Sequence, residues 1–346
     1  MGGLGAGDWE GDRGERIRAG WLSLVVGVAI FAGKLATYGV TGSTAVFSDA
    51  MESVVNVAAA ALLVYSLLVA SRPADRDHPY GHGKVEFFSA GVEGTLIAVA
   101  AVLIIGQSGR DLVRGPELHR FGLGVLFLSG LALVNGTLGV YLIRLGQRTR
   151  SLALEADGRH LMTDVLTSIG VVAGLIAVWA TGWLWLDPLV GMAVALHILA
   201  AGWSLIRRAV GGLMDEADTE SLRRITDALE VSREPWCIDV HGLRAWRSGA
   251  LQHVDLHVAV PRYFDVERVH DINDGIEATI LSAMEAGGDV LVHFDPCRPR
   301  QCGCCAIPDC PVREHPFGRR QPIDLERAVR GDEELETGLP VTEATP

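Results

Sequence analysis

Asp49, Glu52 and Asn56 stand three and four residues apart in an otherwise apolar stretch, and Asp157, His160 and Asp164 repeat that spacing further along the chain. On a helix such spacing stacks side chains on one face, a turn above one another. If the two faces meet, Glu52, Asn56, His160 and Asp164 offer two carboxylates, an amide oxygen and an imidazole, a shell suited to a divalent transition ion. Asp49 and Asp157, one turn off each pair, then act as acceptors that hold the ligands or as helix-entry residues. The competing reading is a polar seam that only glues helices together. Ionisable groups weigh against it, because an uncompensated charge in hydrocarbon costs at least about 2.5 kcal/mol.

The elements that must position these residues are long and apolar. Residues 156–168 run into a stretch without charge that continues to Trp185, enough for a hydrocarbon layer about 30 Å thick. Similar runs at 17–38, 45–70, 87–113, 119–145 and 188–206 bring the expected spans to six, the third with Glu93 inside it. Basic residues gather before the first span (Arg13, Arg16, Arg18), between the second and third (Arg72, Arg76, Lys84), between the fourth and fifth (Arg144, Arg148, Arg150, Arg159) and after the sixth (Arg207, Arg208). The intervening loops hold fewer, which predicts both termini in the cytoplasm. Met1 to Glu15 is Gly-rich and acidic with no cleavage pattern after it, so the first helix is expected to stay in the membrane.

From Asp215 onward the composition is that of a soluble domain, and it supplies most of the net charge of −12. That balance gives nucleic acid no electrostatic footprint. Residues 219–229 read as an amphipathic helix, 237–246 and 253–260 as strands, 266–284 as a helix and 289–294 as a strand. The order α-β-β-α-β predicts a small two-layer, ferredoxin-like α+β domain. Its core is modest, so pairing with a second copy would help it. The expected division is a cytoplasmic N-terminal tail at 1–16, a transmembrane domain at 17–210, a cytoplasmic domain at 211–296 and a Cys-rich, then acidic tail at 297–346.

Five of the six cysteines lie in that tail, as Cys297, Cys302, Cys304, Cys305 and Cys310, while Cys237 reads as a strand core residue. Crowding of this kind suits reduced thiols or a soft metal better than a disulfide framework. Asp75, His78 and His82, among Pro73, Pro79, Gly81 and Gly83, form a turn-rich loop that can bring a carboxylate and two imidazoles together. Taken alone, the loop is better read as solvated.

FSDAMESVVN, then HPYGHGKVE, then ADGRHLMTDVLTS, in that order and spacing, resembles the cation diffusion facilitator family over roughly 19–296. The resemblance implies a homodimeric exporter of divalent metal ions driven by proton exchange. His160 and Asp164 match the family's fifth-span pair, whereas Glu52 and Asn56 stand where the second span normally offers His or Asp followed by Asp. The resemblance also implies an accessory metal site at Asp75, His78 and His82. A further site between paired cytoplasmic domains would use His241, His257, His293 and Asp295. His253 and His270 are expected to be surface histidines. The family does not generally require the cysteine cluster.

The expected function is therefore export of a divalent transition metal, zinc foremost and manganese, iron, cobalt or nickel next, from an integral protein of a bacterial inner (plasma) membrane, with protons as counter-ion. No phosphate loop suggests ATP hydrolysis and no covalent chemistry is implied, so the protein is expected not to be an enzyme. Rival readings are a membrane metal sensor or scaffold that does not transport, and an uptake carrier with the same ligands. An anchor needs no charges at its centre, which argues against the first.

Overall fold

The computed structural model describes residues 6–41, 44–114, 124–284 and 287–331; within its helices some side chains, those of Asp49 and Glu52 among them, lie outside the described set. The chain divides after Met214 into two compact units. Among the described residues the first contains six long helices, α1 (Ala6–Thr41), α2 (Thr44–Ala70), α3 (Val85–Arg114), α4 (Gly124–Thr149), α5 (Leu152–Thr181) and α6 (Leu186–Leu213). Among the described residues, four stretches are long and apolar enough to cross a membrane: Asp12–Ala36, Ser53–Ala70, Val85–Val113 and Pro188–Leu213. Several helices outrun the spans expected from sequence, α1 beginning at Ala6 rather than at 17 and α6 ending at Leu213 rather than at 206. Hydropathy marks the part suited to hydrocarbon, while the helical ladder continues through polar ends.

α5 is the centre of this unit. Its Leu152 and Ala156 join a buried cluster with Phe87, Ala90 and Ile97 of α3 and Ile198 and Leu205 of α6. Its Ala153 and Leu154 join another with Ala19 of α1, Leu63 and Leu67 of α2 and Leu142 of α4. Val25, Leu103, Leu133, Leu196 and Trp203 are exposed on the outer faces, an apolar exterior that suits lipid. Small residues set the close crossings, as expected between membrane helices. A Cβ on Gly158 would lie 2.8 Å from the Gly139 carbonyl oxygen of α4, and one on Gly94 of α3 would lie 3.1 Å from the Gly202 carbonyl oxygen of α6.

The basic residues at one end of the helices are paired rather than merely solvated. Arg16 of α1 reaches Glu86 of α3 at 3.3 Å, and Glu86 also accepts from Ser151, whose hydroxyl caps α5 by accepting from the Leu154 N–H. Arg208 of α6 holds Glu155 of α5 through two bonds of 2.7 and 2.8 Å, the parallel fork that guanidinium and carboxylate favour. Arg159 and the pair Arg148 with Glu15 complete this belt.

The second unit follows the order α7 (Thr219–Val231), β1 (Asp239–Ser248), β2 (Leu251–Val260), α8 (Val266–Ala283) and β3 (Gly288–Pro296). β1 and β2 are antiparallel and β2 and β3 parallel. Val254, Leu256, Val258 and Val260 of β2 face a core shared with Leu222, Ile225 and Leu229 of α7 and Ile276 and Ile280 of α8. The ordered chain does not stop at 296. A 3₁₀ turn (Pro299–Gly303) and a short α9 (Leu325–Ala328) follow, and Ile323 and Ala328 belong to the same core. Arg313 ties this segment together by donating to the carbonyls of Cys302, Cys305 and Ile307 at 2.9, 3.0 and 2.6 Å. The acidic residues from Asp332 onward lie outside the described residues.

Candidate metal centre

α2 packs against α5, and the two polar faces meet there. The Asn56 amide nitrogen donates to Asp164 Oδ2 at 3.1 Å, and Asn56 Oδ1 lies 3.1 Å from His160 Nε2. One amide thus joins the imidazole to the carboxylate, and three expected ligands surround one point. His160 is 8% exposed, and Asn56 and Asp164 are half-buried. Glu52, one turn before Asn56 on α2, and Asp49 before it have side chains outside the described residues. Asp157 is buried and accepts from Ser23 Oγ of α1 at 2.6 Å, so it binds a third helix to the site. Ionisable groups held this deep between apolar helices need a compensating charge. A divalent cation bound there would supply it.

Glu93 of α3 also points into this place, its Oε2 3.6 Å from His160 Nδ1. The sequence places it inside the third span, with no spacing that ties it to another polar residue. The available signal was the rarity of a carboxylate in mid-span, which by itself marks function.

Among the described residues, two further clusters bring metal-ligating atoms within 4.8 Å of one another, Asp75 with His78 and His82, and His241 with His257 and Asp295. In the first, Asp75 sits 3.4 Å from His78 Nδ1 and 3.3 Å from His82 Nε2. The backbone N–H of His78, bonded at 2.7 Å, holds the Asp75 carboxyl below its ordinary value, so it stays ionised and ready to ligate.

In the second, strand register does what sequence spacing could not. His241 pairs with His257 across β1 and β2, and His257 with His293 across β2 and β3, placing three imidazoles in one row. Asp295 lies 3.0 Å from His257, 3.4 Å from His241 and 3.5 Å from His293. Past His241 the β1 register shifts, at Gly242, whose φ of 61° is open to glycine and strained for other residues. His270 is exposed, but His253 is not the surface residue expected: it is buried, stacked on Trp246 and in contact with Asp289.

The cysteines are arranged differently. Cys237 is buried in the domain core, and burial pushes its thiol up to about 11. Cys305 packs with Ile238, Ala259, Cys297 and Cys304, covering the outer face of β2 at Ala259. Cys302 is buried and Cys310 half-buried. Among the described residues, no group of three thiols comes as close together as the ligands of the two clusters above.

Ionisable groups buried between helices with apolar outer faces are what an integral membrane carrier for a cation needs. A family profile described as the cation efflux transmembrane domain matches residues 20–214, and one described as the cation efflux protein cytoplasmic domain matches 217–297. An uncharacterized transporter of Synechocystis, sll1263, is 39% identical over 277 residues, which cover 80% of this chain and 88% of that protein. The cation-efflux pump FieF of Klebsiella pneumoniae is 28% identical over 284 residues, covering 81% and 92%. FieF of Salmonella newport is 27% identical over 282 residues, covering 81% and 92%. This chain belongs to the cation diffusion facilitator family of metal-ion transporters, and is a transporter rather than an enzyme.

Proposed function

We propose that the chain exports a divalent transition metal from the cytoplasm in exchange for protons, with zinc the leading cargo and manganese, iron, cobalt and nickel the alternatives. The observation that carries this reading is the meeting of Asn56 with His160 and Asp164 between α2 and α5. Glu52, one turn from Asn56, supplies the fourth ligand, and Asp49 and Asp157 support the shell. Metal binding needs a neutral imidazole and ionised carboxylates, so protons arriving from the far side compete with the ion and release it. All six long helices cross the membrane, a bacterial inner membrane, with both termini in the cytoplasm, as the basic ends of the helices favour. Purified protein in liposomes should accumulate zinc faster when the lumen is more acidic than the bath, and should release protons as the zinc enters. Metal flux that neither feels nor dissipates the gradient would remove the exchange step from the reading.

The ferredoxin-like cytoplasmic domain, with the order α-β-β-α-β, pairs with that of a second copy. His241, His257, His293 and Asp295 bind metal at that pairing, which links dimer contact to cytoplasmic metal by mass action. Labels on the two cytoplasmic domains of the full-length dimer should approach when zinc is added and separate when it is chelated, and His257→Ala should blunt the change. An unchanged distance would refute metal-linked closure. The loop cluster at Asp75, His78 and His82 captures metal near the membrane. The thiols of Cys297, Cys302, Cys304, Cys305 and Cys310 form a further soft-metal contact that requires them to be drawn together.

A further inference from the structure

Glu93 is 1% exposed, and among the described residues neither of its carboxylate oxygens meets a hydrogen-bond donor. A carboxylate is costly to bury on such terms, so its place calls for an explanation. Oε2 faces Nδ1 of His160 at 3.6 Å, the ring nitrogen opposite the one that faces Asn56 Oδ1. The backbone fixes this direction. Gly94, the next residue, is pressed against Gly202 of α6, and a step of one residue turns a helix by about 100°, from α6 toward α5.

An imidazole that ligates a metal commonly gives its other N–H to a carboxylate, which selects the tautomer and aims the ring. We propose that Glu93 is a positioning residue for the transported ion. Its carboxylate accepts a hydrogen bond from Nδ1–H of His160 and leaves the Nε2 lone pair directed between Asn56 and Asp164. The separation is just beyond hydrogen-bond length, and a small rotation of the ring toward the ion closes it. The proposal rests on the reading of Asn56, His160 and Asp164 as the transport site.

The test is zinc transport by the full-length protein in liposomes, measured over a range of zinc concentrations for Glu93→Met, Glu93→Gln and Asp164→Asn. Methionine fills a similar volume without an acceptor. Glu93→Met should raise KM by about 10- to 100-fold and change the maximal rate less, while Glu93→Gln, which keeps an acceptor for Nδ1–H, should recover most of the loss. Packing alone predicts Met at least as good as Gln. If Glu93→Met keeps the wild-type KM while Asp164→Asn loses transport, Glu93 has no such role and the site stands. If Asp164→Asn transports like the wild type, both readings fall.

Discussion

Asp164→Asn is expected to reduce metal transport by more than about 100-fold, because even the outer partners of a metal ligand are worth about 10- to 100-fold in affinity or activity. The substitution keeps the shape of the side chain and its ability to bond with Asn56, now 3.1 Å away, so the helices should assemble as before. What it removes is the charge. On the proposed reading the ion then loses an anionic ligand, and the amide that remains is a weaker partner for a divalent cation. Flux measured beside a thermal unfolding curve separates loss of the site from loss of the fold. Wild-type flux from a well-folded Asp164→Asn protein would move the transport site elsewhere.

The next largest effect concerns stability. Arg16 is 6% exposed and Glu86 1%, and their ion pair joins α1 to α3 near the start of α5. Arg16→Ala leaves the Glu86 carboxylate buried with the Ser151 hydroxyl but without its guanidinium, a loss of about 3–5 kcal/mol for a pair of this kind. Replacing both partners by methionine should recover much of that, because no buried charge is then left alone. Unfolding of the purified protein in detergent measures both. An Arg16→Ala protein within about 0.5 kcal/mol of wild type, the range of ordinary surface changes, would mean that water reaches Glu86.

The spacing of Asn56, His160 and Asp164 was legible because three- and four-residue intervals in an apolar run have a helical meaning and little other. The face of each helix follows from that, and so does the need for a partner face. Glu93 was harder, since a single carboxylate on a third helix has no spacing to another residue, and only the close α3–α6 crossing at Gly94 and Gly202 turns it toward His160. The row of His241, His257 and His293 depends on strand register and on a break at Gly242, neither of which is written in the local sequence. The segment after 296 has no apolar period to read. Its order comes from guanidinium bonds to carbonyls, those of Arg313 within it and that of Arg320 to Glu234 at 2.6 Å, and from the few apolar residues, Ile323 and Ala328, that reach the core.

The most direct measurement is a cryo-electron microscopy map of the full-length protein in lipid with zinc added, compared with one after chelation. A zinc-dependent peak bounded by Asn56 Oδ1, His160 Nε2 and Asp164 Oδ2 is the predicted result. Zinc filling the loop and cytoplasmic clusters while that point between α2 and α5 stays without density would contradict it.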